Sequence, residues 1–236
     1  MSVRCLTWNL EWAPPKGPRA EWIMKHVAAA DPDVVCFTEV QRGFMPPGHL
    51  IEANADYGYP IQEGRRKVLL WSRELWTEVD VVSDEMMPSG RFVSGITGGI
   101  RFVGVCIPWK DAHVKTGRCD RQPWEDHLAY CQGLARVLKR HAEQSTTVCV
   151  LGDYNQRIPR INQPVPVFDA LMAAIPPNFH IVTAGLTDAE GFNFIDHIAI
   201  SPGVRASING ILPKTAEDGT RLTDNSGVHV TIQDTS

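Results

Sequence analysis

The apolar residues of this chain fall into short runs, and most runs have the length and β-branched content of a strand. The clearest run covers residues 148–151, where four consecutive apolar residues are typical of a strand buried on both faces. The run stops at Gly152, and two short polar side chains follow, Asp153 and Asn155. A buried strand fixes the position of whatever follows it, so we expect both side chains to be held rigidly at its end. An ordinary Asp/Asn turn is the competing interpretation.

Similar apolar runs predict many more strands along the chain. These runs cover residues 3–8, 34–37, 68–71, 76–82, 91–96, 100–107, 192–200, 204–211 and 228–232. We expect 68–71 and 76–82 to be neighbouring strands, and the Thr-Gly-Gly sequence at 97–99 to form a hairpin turn. Residues 43–60 are rich in proline and glycine, so we expect a loop with little regular structure there.

Three segments have the spacing of amphipathic helices: one beginning near Pro18, one over 122–141 and one over 167–174. The residues expected on the buried faces are Ala20, Ile23, Met24 and Val27 in the first helix, and Trp124, Leu128, Cys131, Ala135 and Leu138 in the second. Many strands with a few helices outside them predict an α/β fold with two mainly antiparallel sheets packed face to face. No repeat or linker interrupts the pattern, so we expect a single domain over residues 1–236.

Charge and cysteine content narrow the range of functions. The formal net charge of -4 gives no general attraction for nucleic acid, so any anion site must be a local basic patch. No apolar run is long enough to span a bilayer, and the first residues lack the pattern of a signal peptide. The chain has no Cys-x-x-Cys motif, and apolar runs hold Cys5, Cys36, Cys106 and Cys149. We therefore expect reduced core thiols in a cytoplasmic protein, with no membrane and no protein partner indicated.

Several predicted strands end close to a side chain that could bind a metal or a phosphate. Asn9 ends the first strand, and Glu39 follows the second. Asp224 and Asn225 come shortly before the last. Together with the polar residues after 148–151, these side chains supply oxygen and amide donors, which suit a hard divalent cation.

Asp196 differs from these residues because it lies inside an apolar run. An ionised aspartate that is buried without a partner is costly, so Asp196 should have one. Strand alternation places Asp196 and His197 on opposite faces of the strand. We therefore expect His197 to pack against the fold and not to form a catalytic pair with Asp196.

In their order and spacing, these motifs resemble the signature blocks of the endonuclease/exonuclease/phosphatase superfamily. The blocks are Thr7-Trp8-Asn9, Thr38-Glu39-Val40, Gly152-Asp153-Tyr154-Asn155, Ile195-Asp196-His197-Ile198 and Leu222-Thr223-Asp224, with a weaker block at residues 64–73. Each block alone is weak, but together they span nearly the whole chain. The resemblance implies a four-layered α/β sandwich and a phosphoesterase that depends on a divalent metal.

The resemblance also implies roles for individual residues. Glu39 matches the metal-binding glutamate, Asn9 its neighbour in the metal or phosphate shell, and we add the acidic Asp224 to the expected metal site. Hard oxygen donors without a thiolate or histidine cluster suit Mg²⁺ or Mn²⁺ better than Zn²⁺. Asp153 and Asn155 match the catalytic pair that positions the attacking water and the scissile phosphate, and we expect Asp153 to activate the water.

One position departs from the family pattern. Asp196 matches an aspartate that orients an essential catalytic histidine, and that histidine should follow Asp224. Asn225 stands in its place. Asparagine can donate a hydrogen bond to a phosphate oxygen, but it cannot carry a proton or a positive charge. We expect this catalytic position to be impaired, and we do not expect His229, which should point away from the core face of its strand, to replace the histidine.

Basic residues are concentrated in a loop at 108–121 and again shortly after the central strand. Such charges are often no more than a solvated surface, but the resemblance places both segments at the rim of the site. We expect Arg118 and Arg157 to contact substrate phosphates. We include His113 as an alternative phosphate ligand, because Cys106 stands where nuclease members often have a tyrosine.

The leading hypothesis is a phosphodiesterase or nuclease that acts on a phosphate-ester substrate, with nucleic acid as one option, and that is impaired by Asn225. A phosphomonoesterase is one alternative. Another is a non-catalytic member that keeps metal and phosphate binding, and a third is an active enzyme engineered to lack the histidine. The sequence does not choose among DNA, RNA, nucleotides, phosphoinositides and sphingolipids as substrates.

Overall fold

The computed structural model describes residues 2–144 and 147–234. Twelve strands and three helices form within these two ranges. The strands are β1 (Ser2–Asn9), β2 (Val34–Gln41), β3 (His49–Glu52), β4 (Arg65–Ser72), β5 (Thr77–Asp80), β6 (Phe92–Thr97), β7 (Ile100–Cys106), β8 (Thr147–Asp153), β9 (His180–Ile181), β10 (Asp196–Ile200), β11 (Val204–Leu212) and β12 (Gly227–Asp234). The helices are α1 (Pro18–Ala30), α2 (Glu125–Glu143) and α3 (Val165–Ala174). No helix in the described ranges is long and apolar enough to cross a membrane.

The strands form two sheets of six strands each. The first sheet has the order β11-β12-β1-β2-β4-β3, and the second has the order β5-β6-β7-β8-β10-β9. Each sheet is antiparallel except for one parallel pair, β1 with β2 and β7 with β8. A parallel pair needs a crossover connection, which α1 supplies between β1 and β2, and α2 between β7 and β8. The carboxyl ends of each parallel pair therefore lie side by side.

Apolar clusters hold the layers together, and β8 belongs to two of them. Its residues Cys149 and Leu151 face the space between the two sheets. Val148 and Val150 face the opposite way, towards the helices that cover the second sheet. On the far side of the molecule, α1 packs on the first sheet through residues such as Ile23. The predicted four-layered α/β sandwich, with a central strand buried on both faces, is confirmed.

The predicted hairpin at 97–99 is also present. Thr97 pairs with Ile100 at the end of the β6–β7 ladder. Gly98 and Gly99 have φ values of 53° and 70°. Two successive residues with positive φ make the tight turn that matches the twist of the flanking strands.

Two expectations about the middle of the chain are wrong. Residues 43–60 are not irregular throughout, because β3 forms there and pairs with β4 at the edge of the first sheet. Ile51 is the buried residue of this strand, so the apolar pattern is too sparse to predict it. The runs predicted as neighbouring strands became β4 and β5, which lie in different sheets. The chain crosses between the sheets after β4, and Trp76 packs against Phe102 in the intersheet cluster.

Two element boundaries also differ from the prediction. Helix α2 begins at Glu125 and not at 122, because Trp124 has a left-handed φ of 71° just before it. Its buried face is centred on Tyr130 and Leu134, whereas the expected Trp124, Leu128 and Ala135 are only partly buried. Strand β10 begins at Asp196, because residues 192–195 precede the ladder with β8. Asp196 therefore lies at a strand end and not inside a strand.

Candidate active site

The site forms where the ends of strands from both sheets meet. Asn9 ends β1, and Asp153 ends β8 of the other sheet. Asp196 begins β10 and lies directly opposite Asp153 in the antiparallel register. Glu39 lies near the end of β2, beside β1. The strand directions thus gather at one end of the sandwich four side chains that are far apart in the sequence.

Asp153 is the best-anchored of these side chains. Its Oδ2 accepts hydrogen bonds from Nδ2 of Asn9 at 3.1 Å and Nδ2 of Asn155 at 3.0 Å. Its Oδ1 accepts the backbone N–H of Asn155 at 2.8 Å. Asn155 also donates to the carbonyl oxygen of Ile107 at 2.8 Å, which fixes its own orientation. Three donors therefore hold the Asp153 carboxylate, as expected for a side chain at a rigid strand end.

Strands β7 and β8 approach each other closely at Gly152, just before Asp153, and leave no room for a side chain. Its φ is 138°, and a Cβ at this position would lie 2.0 Å from the carbonyl oxygen of Val105 in β7. A side chain would therefore force β7 and β8 apart. Asn155 follows with a left-handed φ of 54°, which completes the sharp turn. The close packing of β7 and β8 is therefore the reason for a glycine at the position where the apolar run stops.

Glu39 sits on an irregularity in β2. It has a left-handed φ of 48°, and Phe37 and Val40 both pack in the cluster against α1. Residues three apart on a regular strand would face opposite ways, so the strand alternation is broken at Glu39. Its Oε1 lies 2.5 Å from Nζ of Lys67 in β4. The irregularity presents the carboxylate at the end of the sheet, where a buried ammonium pairs with it.

Asp196 is buried without a partner. It is fully buried, and neither carboxylate oxygen accepts a hydrogen bond from any residue in the described part of the chain. Burial raises the pKa of Asp196 well above its usual value, and the negative charges of Asp153, Asp224 and Glu39 add to this effect. Burial also raises the pKa of Asp153 to about 7, and the negative charge of Glu39 is the second cause of this rise. The carboxylates repel one another, and a cation among them would relieve this repulsion.

The donor set fits a hard divalent cation that keeps much of its water shell. Mg²⁺ usually binds to one or two carboxylates and retains several waters. Within ranges 2–144 and 147–234, no three His, Cys, Asp or Glu side chains converge on one ion position. Glu39 and Asp224, with the amide oxygen of Asn9, are the residues that would hold such an ion. The buried Asp196 carboxyl has no hydrogen-bond partner among the described residues, and a nearby cation would favour its ionised form.

Asn225 does not form a hydrogen bond with Asp196. Its Nδ2 donates to Oδ1 of Asp224 at 3.0 Å, and its carbonyl oxygen accepts Nε1 of Trp8 at 3.0 Å. Thr223 donates from Oγ1 to the carbonyl oxygen of Asn9 at 2.7 Å and so ties this segment to the end of β1. The segment is therefore docked at the site, while Asp196 lacks the partner that the resemblance implies. His229 lies on β12 on the opposite face from the intersheet cluster, as expected.

A cavity of about 250 Å³ opens beside Asp224 and Asn225. Arg157 lies on its wall, and its contact with substrate stays a prediction. Phe192 lies on the same wall and is 60% exposed. Nζ of Lys214, another lining residue, is 4.3 Å from the centroid of the Phe192 ring. The cavity thus combines Arg157 and an exposed aromatic face with Lys214, whose Nζ is paired with Oδ2 of Asp188 at 2.8 Å and with Oε2 of Glu190 at 3.0 Å.

The structure does not offer His113 to a substrate phosphate. His113 is fully buried, its Nδ1 lies 2.5 Å from Oδ2 of Asp126, and its Nε2 lies 3.1 Å from the carbonyl oxygen of Tyr57. Both ring nitrogens are therefore engaged within the fold. Two glycines leave room for the ring, since a Cβ on Gly58 or on Gly117 would lie 2.5 Å from it. His113 anchors the loop at 108–121 against its surroundings.

Arg118 belongs to the same network. Its Nη2 lies 3.6 Å from Oδ2 of Asp126, and its Nε lies 3.4 Å from Oδ1 of Asp120. Arg121 donates to the other oxygen of Asp126 at 2.8 Å. The acidic partners neutralise much of the charge of this loop, so its phosphate-binding role remains a prediction with less support than that of Arg157.

The structure adds three residues that the sequence motifs do not indicate: Lys67, Phe192 and Lys214. Lys67 directly precedes the apolar run at 68–71. This position could have indicated its role, because a charge next to a buried strand needs a partner. Phe192 and Lys214 carried no such signal. They meet because the segments before β10 and after β11 fold back to the same cavity, which strand patterns do not predict.

Two six-stranded sheets between helices, with carboxylates and amides gathered at the strand ends, define the sandwich fold of phosphoesterases and nucleases. The chain belongs to the Endonuclease/Exonuclease/phosphatase family, whose sequence profile matches residues 6–224. The resemblance stated from the short motifs is confirmed. No curated protein sequence matches the chain.

Solved structures with this fold align along nearly the whole chain at low identity. The endonuclease/exonuclease/phosphatase from Bacteroides vulgatus has a TM-score of 0.67 and 14% identity, with 99% of each chain covered. A variant of the 3' phosphatase NExo from Neisseria, bound to a product DNA hairpin, has a TM-score of 0.65 and 15% identity over 99% of this chain and 100% of its own. An AP endonuclease from Archaeoglobus fulgidus has a TM-score of 0.63 and 15% identity over the same shares. Likeness at such identities shows the fold alone.

Proposed function

We propose that this protein is a Mg²⁺-dependent phosphoesterase, with Mn²⁺ as an alternative ion, and that its preferred substrate is a phosphodiester. The observation that carries this proposal is the hydrogen-bonded group of Asn9, Asp153 and Asn155 at the strand ends, with Glu39 and Asp196 beside it. Enzymes of the family generally depend on a divalent metal. A bound ion would neutralise the phosphate and stabilise the charge that builds up during displacement.

Asp153 is the residue that we assign to activation of the attacking water. Burial and the charge of Glu39 raise its pKa to about 7 without an ion, and a bound cation would lower this pKa, so that the ionised carboxylate can accept a proton near neutral pH. Asn155 and Asn9 fix the orientation of this carboxylate and leave its remaining lone pairs for water. Asn225, at the mouth of the cavity, can donate a neutral hydrogen bond to a phosphate oxygen. It supplies no positive charge, so we expect slow turnover.

The cavity beside Asn225 favours a phosphodiester with an attached base over a simple phosphomonoester. Arg157 can contact phosphate, and the exposed Phe192 ring can stack against a planar group. Two similar structures, by their names, are a 3' phosphatase bound to a DNA hairpin and an AP endonuclease, which supports nucleic acid as a substrate class. The buried thiols suit the reducing cytoplasm, which we propose as the location of the protein.

A non-catalytic role is the second candidate, and Asn225 is the observation that favours it. Together with the unpartnered Asp196, it leaves the implied aspartate–histidine unit incomplete. Such a protein would bind a divalent ion and a phosphate-bearing partner without cleaving it. An active enzyme that was engineered to lack the histidine would have the same site.

A substrate panel tests these candidates. Single-stranded DNA, duplex DNA, RNA, bis-p-nitrophenyl phosphate and p-nitrophenyl phosphate are incubated with the protein and with Asn225→His, in Mg²⁺, Mn²⁺ or EDTA. We expect slow, ion-dependent cleavage of a diester that Asn225→His accelerates and Glu39→Gln weakens. Preferred cleavage of p-nitrophenyl phosphate would indicate a phosphomonoesterase instead. If neither protein cleaves any substrate while both bind Mg²⁺, the non-catalytic role is supported.

A further inference from the structure

Lys67 and Glu39 form a largely buried ion pair inside the proposed metal site. The register of β2 and β4 pairs Thr38 with Val68 and Val40 with Arg66, so that Glu39 and Lys67 lie opposite each other between these pairs. The side chains of Lys67 and Glu39 are only 9% and 23% exposed. An ammonium held this far from water needs a partner, and the Glu39 carboxylate, 2.5 Å away, is that partner.

Aromatic rings near Lys67 form a second binding position for its ammonium. Nζ lies 5.0 Å from the centroid of the Trp12 ring and 5.6 Å from that of Tyr57. The two rings stack on each other with their centroids 5.9 Å apart. Aromatic faces attract cations, most strongly where water is excluded. Trp12 and Tyr57 can therefore keep the ammonium close to the site when its contact with Glu39 is broken.

A divalent ion and Lys67 cannot both occupy the same Glu39 oxygen, because like charges at contact distance repel each other strongly. We propose that Lys67 competes with the metal for Glu39, and that a substrate phosphate favours the exchange by giving the released ammonium a new anion. This inference rests on the assignment of Glu39 as a metal ligand under the proposed function. Lys67 is then a positioning residue that makes ion binding depend on substrate.

Competition of this kind couples the two binding events. If phosphate strengthens the binding of the ion, the ion strengthens the binding of phosphate by the same factor, and typical couplings are roughly 5- to 150-fold. Without the lysine, the ion has no competitor at Glu39. We therefore expect Lys67→Met to bind Mg²⁺ at least about tenfold more tightly, and to lose most of the effect of phosphate.

Calorimetric titration of the full chain with Mg²⁺ tests the inference, in the presence and absence of dimethyl phosphate, a diester that stays soluble with the ion. The variants are Lys67→Met, Lys67→Gln, Glu39→Gln and the control Lys25→Met, and circular dichroism checks that each is folded. Lys25 is a matched control because it also lies near a carboxylate, at 3.9 Å from Glu217, and over a ring, at 4.0 Å from the Trp22 centroid, but on the surface.

The inference predicts that dimethyl phosphate tightens Mg²⁺ binding to the wild-type chain, and that both Lys67 variants bind the ion more tightly while Lys25→Met does not. Unchanged or weaker binding by the Lys67 variants, with Glu39→Gln weakened, overturns this inference alone. If Glu39→Gln binds as tightly as the wild-type chain, the metal assignment falls, and the inference falls with it. Should the Lys67 variants fail to fold, the wild-type titration decides. An Mg²⁺ affinity that stays the same with and without dimethyl phosphate would then contradict the coupling.

Discussion

Asn9 and Asp153 come from different sheets, and a hydrogen bond of 3.1 Å joins their buried side chains. The bond links the end of β1 to the end of β8, so one contact aligns the two sheets and orients the candidate general base. Oδ1 of Asn9 also accepts the backbone N–H of Glu11 at 2.8 Å, which fixes the orientation of the amide and leaves the second lone pair of this oxygen for an ion.

Asn9→Ala should therefore destabilise the protein. It removes one of the three donors to the buried Asp153 carboxylate and leaves the part-buried backbone N–H of Glu11 without its acceptor, and a polar group left unsatisfied costs about 1–3 kcal/mol. We expect the free energy of unfolding in urea to fall by at least about 1 kcal/mol. Asn162→Ala, at an exposed asparagine, is the control and should change stability little. Equal stability of the two variants would mean that the hydrogen bond between Asn9 and Asp153 does not stabilise the protein.

Asp196 should make the protein less stable as the pH rises. The pKa of its carboxyl is raised in the folded state above the usual 3.8, so the folded protein holds this proton more tightly than the unfolded chain does. The contribution of Asp196 is fully present below about pH 4 and is lost as the pH rises towards the raised pKa.

Asp196→Asn removes this titration. In EDTA, the variant should be at least about 1 kcal/mol more stable than the wild-type chain at pH 8, with little difference at pH 4. Thermal or urea unfolding across this range measures the difference, and Asp169→Asn, at an exposed aspartate of α3, serves as the control. If the difference in stability between Asp196→Asn and the wild-type chain were the same at pH 4 and pH 8, Asp196 would not be held in its neutral form.

Thiol labelling should reach one cysteine of the native protein. Five of the six cysteines are buried, and Cys119 is exposed. Burial also raises the pKa of Cys106 and Cys131 to about 12, which leaves almost no reactive thiolate. A native titration with a thiol reagent should count one group, and Cys119→Ser should reduce that count to none. Stable disulfides found by mass measurement under non-reducing conditions would contradict both the packing and the proposed location.

Charge reversal at Arg157 should weaken substrate binding. The side chain lines the cavity beside Asp224 and Asn225, so Arg157→Glu replaces an attraction for phosphate with a repulsion. The affinity for an oligonucleotide should fall, and its dependence on salt should become shallower, since fewer ions are displaced on binding. Arg205→Glu, on the exposed strand β11, makes the same change of net charge away from the cavity. Identical affinities and salt slopes for the two variants would mean that Arg157 is a solvated surface residue and does not contact substrate.

The sequence predicts the layers and the strand-end residues because these depend on local patterns. The run at 148–151 has to be buried on both faces, and Asp153 has to follow it. The resemblance suggested His113 as an alternative phosphate ligand, but the structure buries it, because its partner Asp126 lies in α2 and the space for its ring depends on Gly58 and Gly117. Neither relationship is local in the sequence.

Lys67 illustrates the same limit. Its pairing with Glu39 depends on the register of β2 and β4 and on the left-handed backbone at Glu39, which no periodicity predicts. The lack of a partner for Asp196 among the described residues is likewise visible only when all its neighbours are placed.

Under the proposed function, Asn225 limits the rate at which this chain cleaves a phosphoester. A histidine at this position could pair with Asp196, which would favour its cationic form near neutral pH. Asparagine keeps one donor but loses the charge, and one lost donor to a developing oxyanion typically costs about 10² to 10³ in rate.

The most direct measurement is the steady-state rate of the wild-type chain and of Asn225→His on one diester that either protein cleaves, in saturating Mg²⁺. Asn162→His controls for an added histidine, and the double variant Asn225→His/Asp196→Asn tests the pairing. We predict a gain of at least about 10² for Asn225→His, most of it lost in the double variant. Rates that agree within a few-fold would contradict the claim that Asn225 occupies the position of a catalytic histidine.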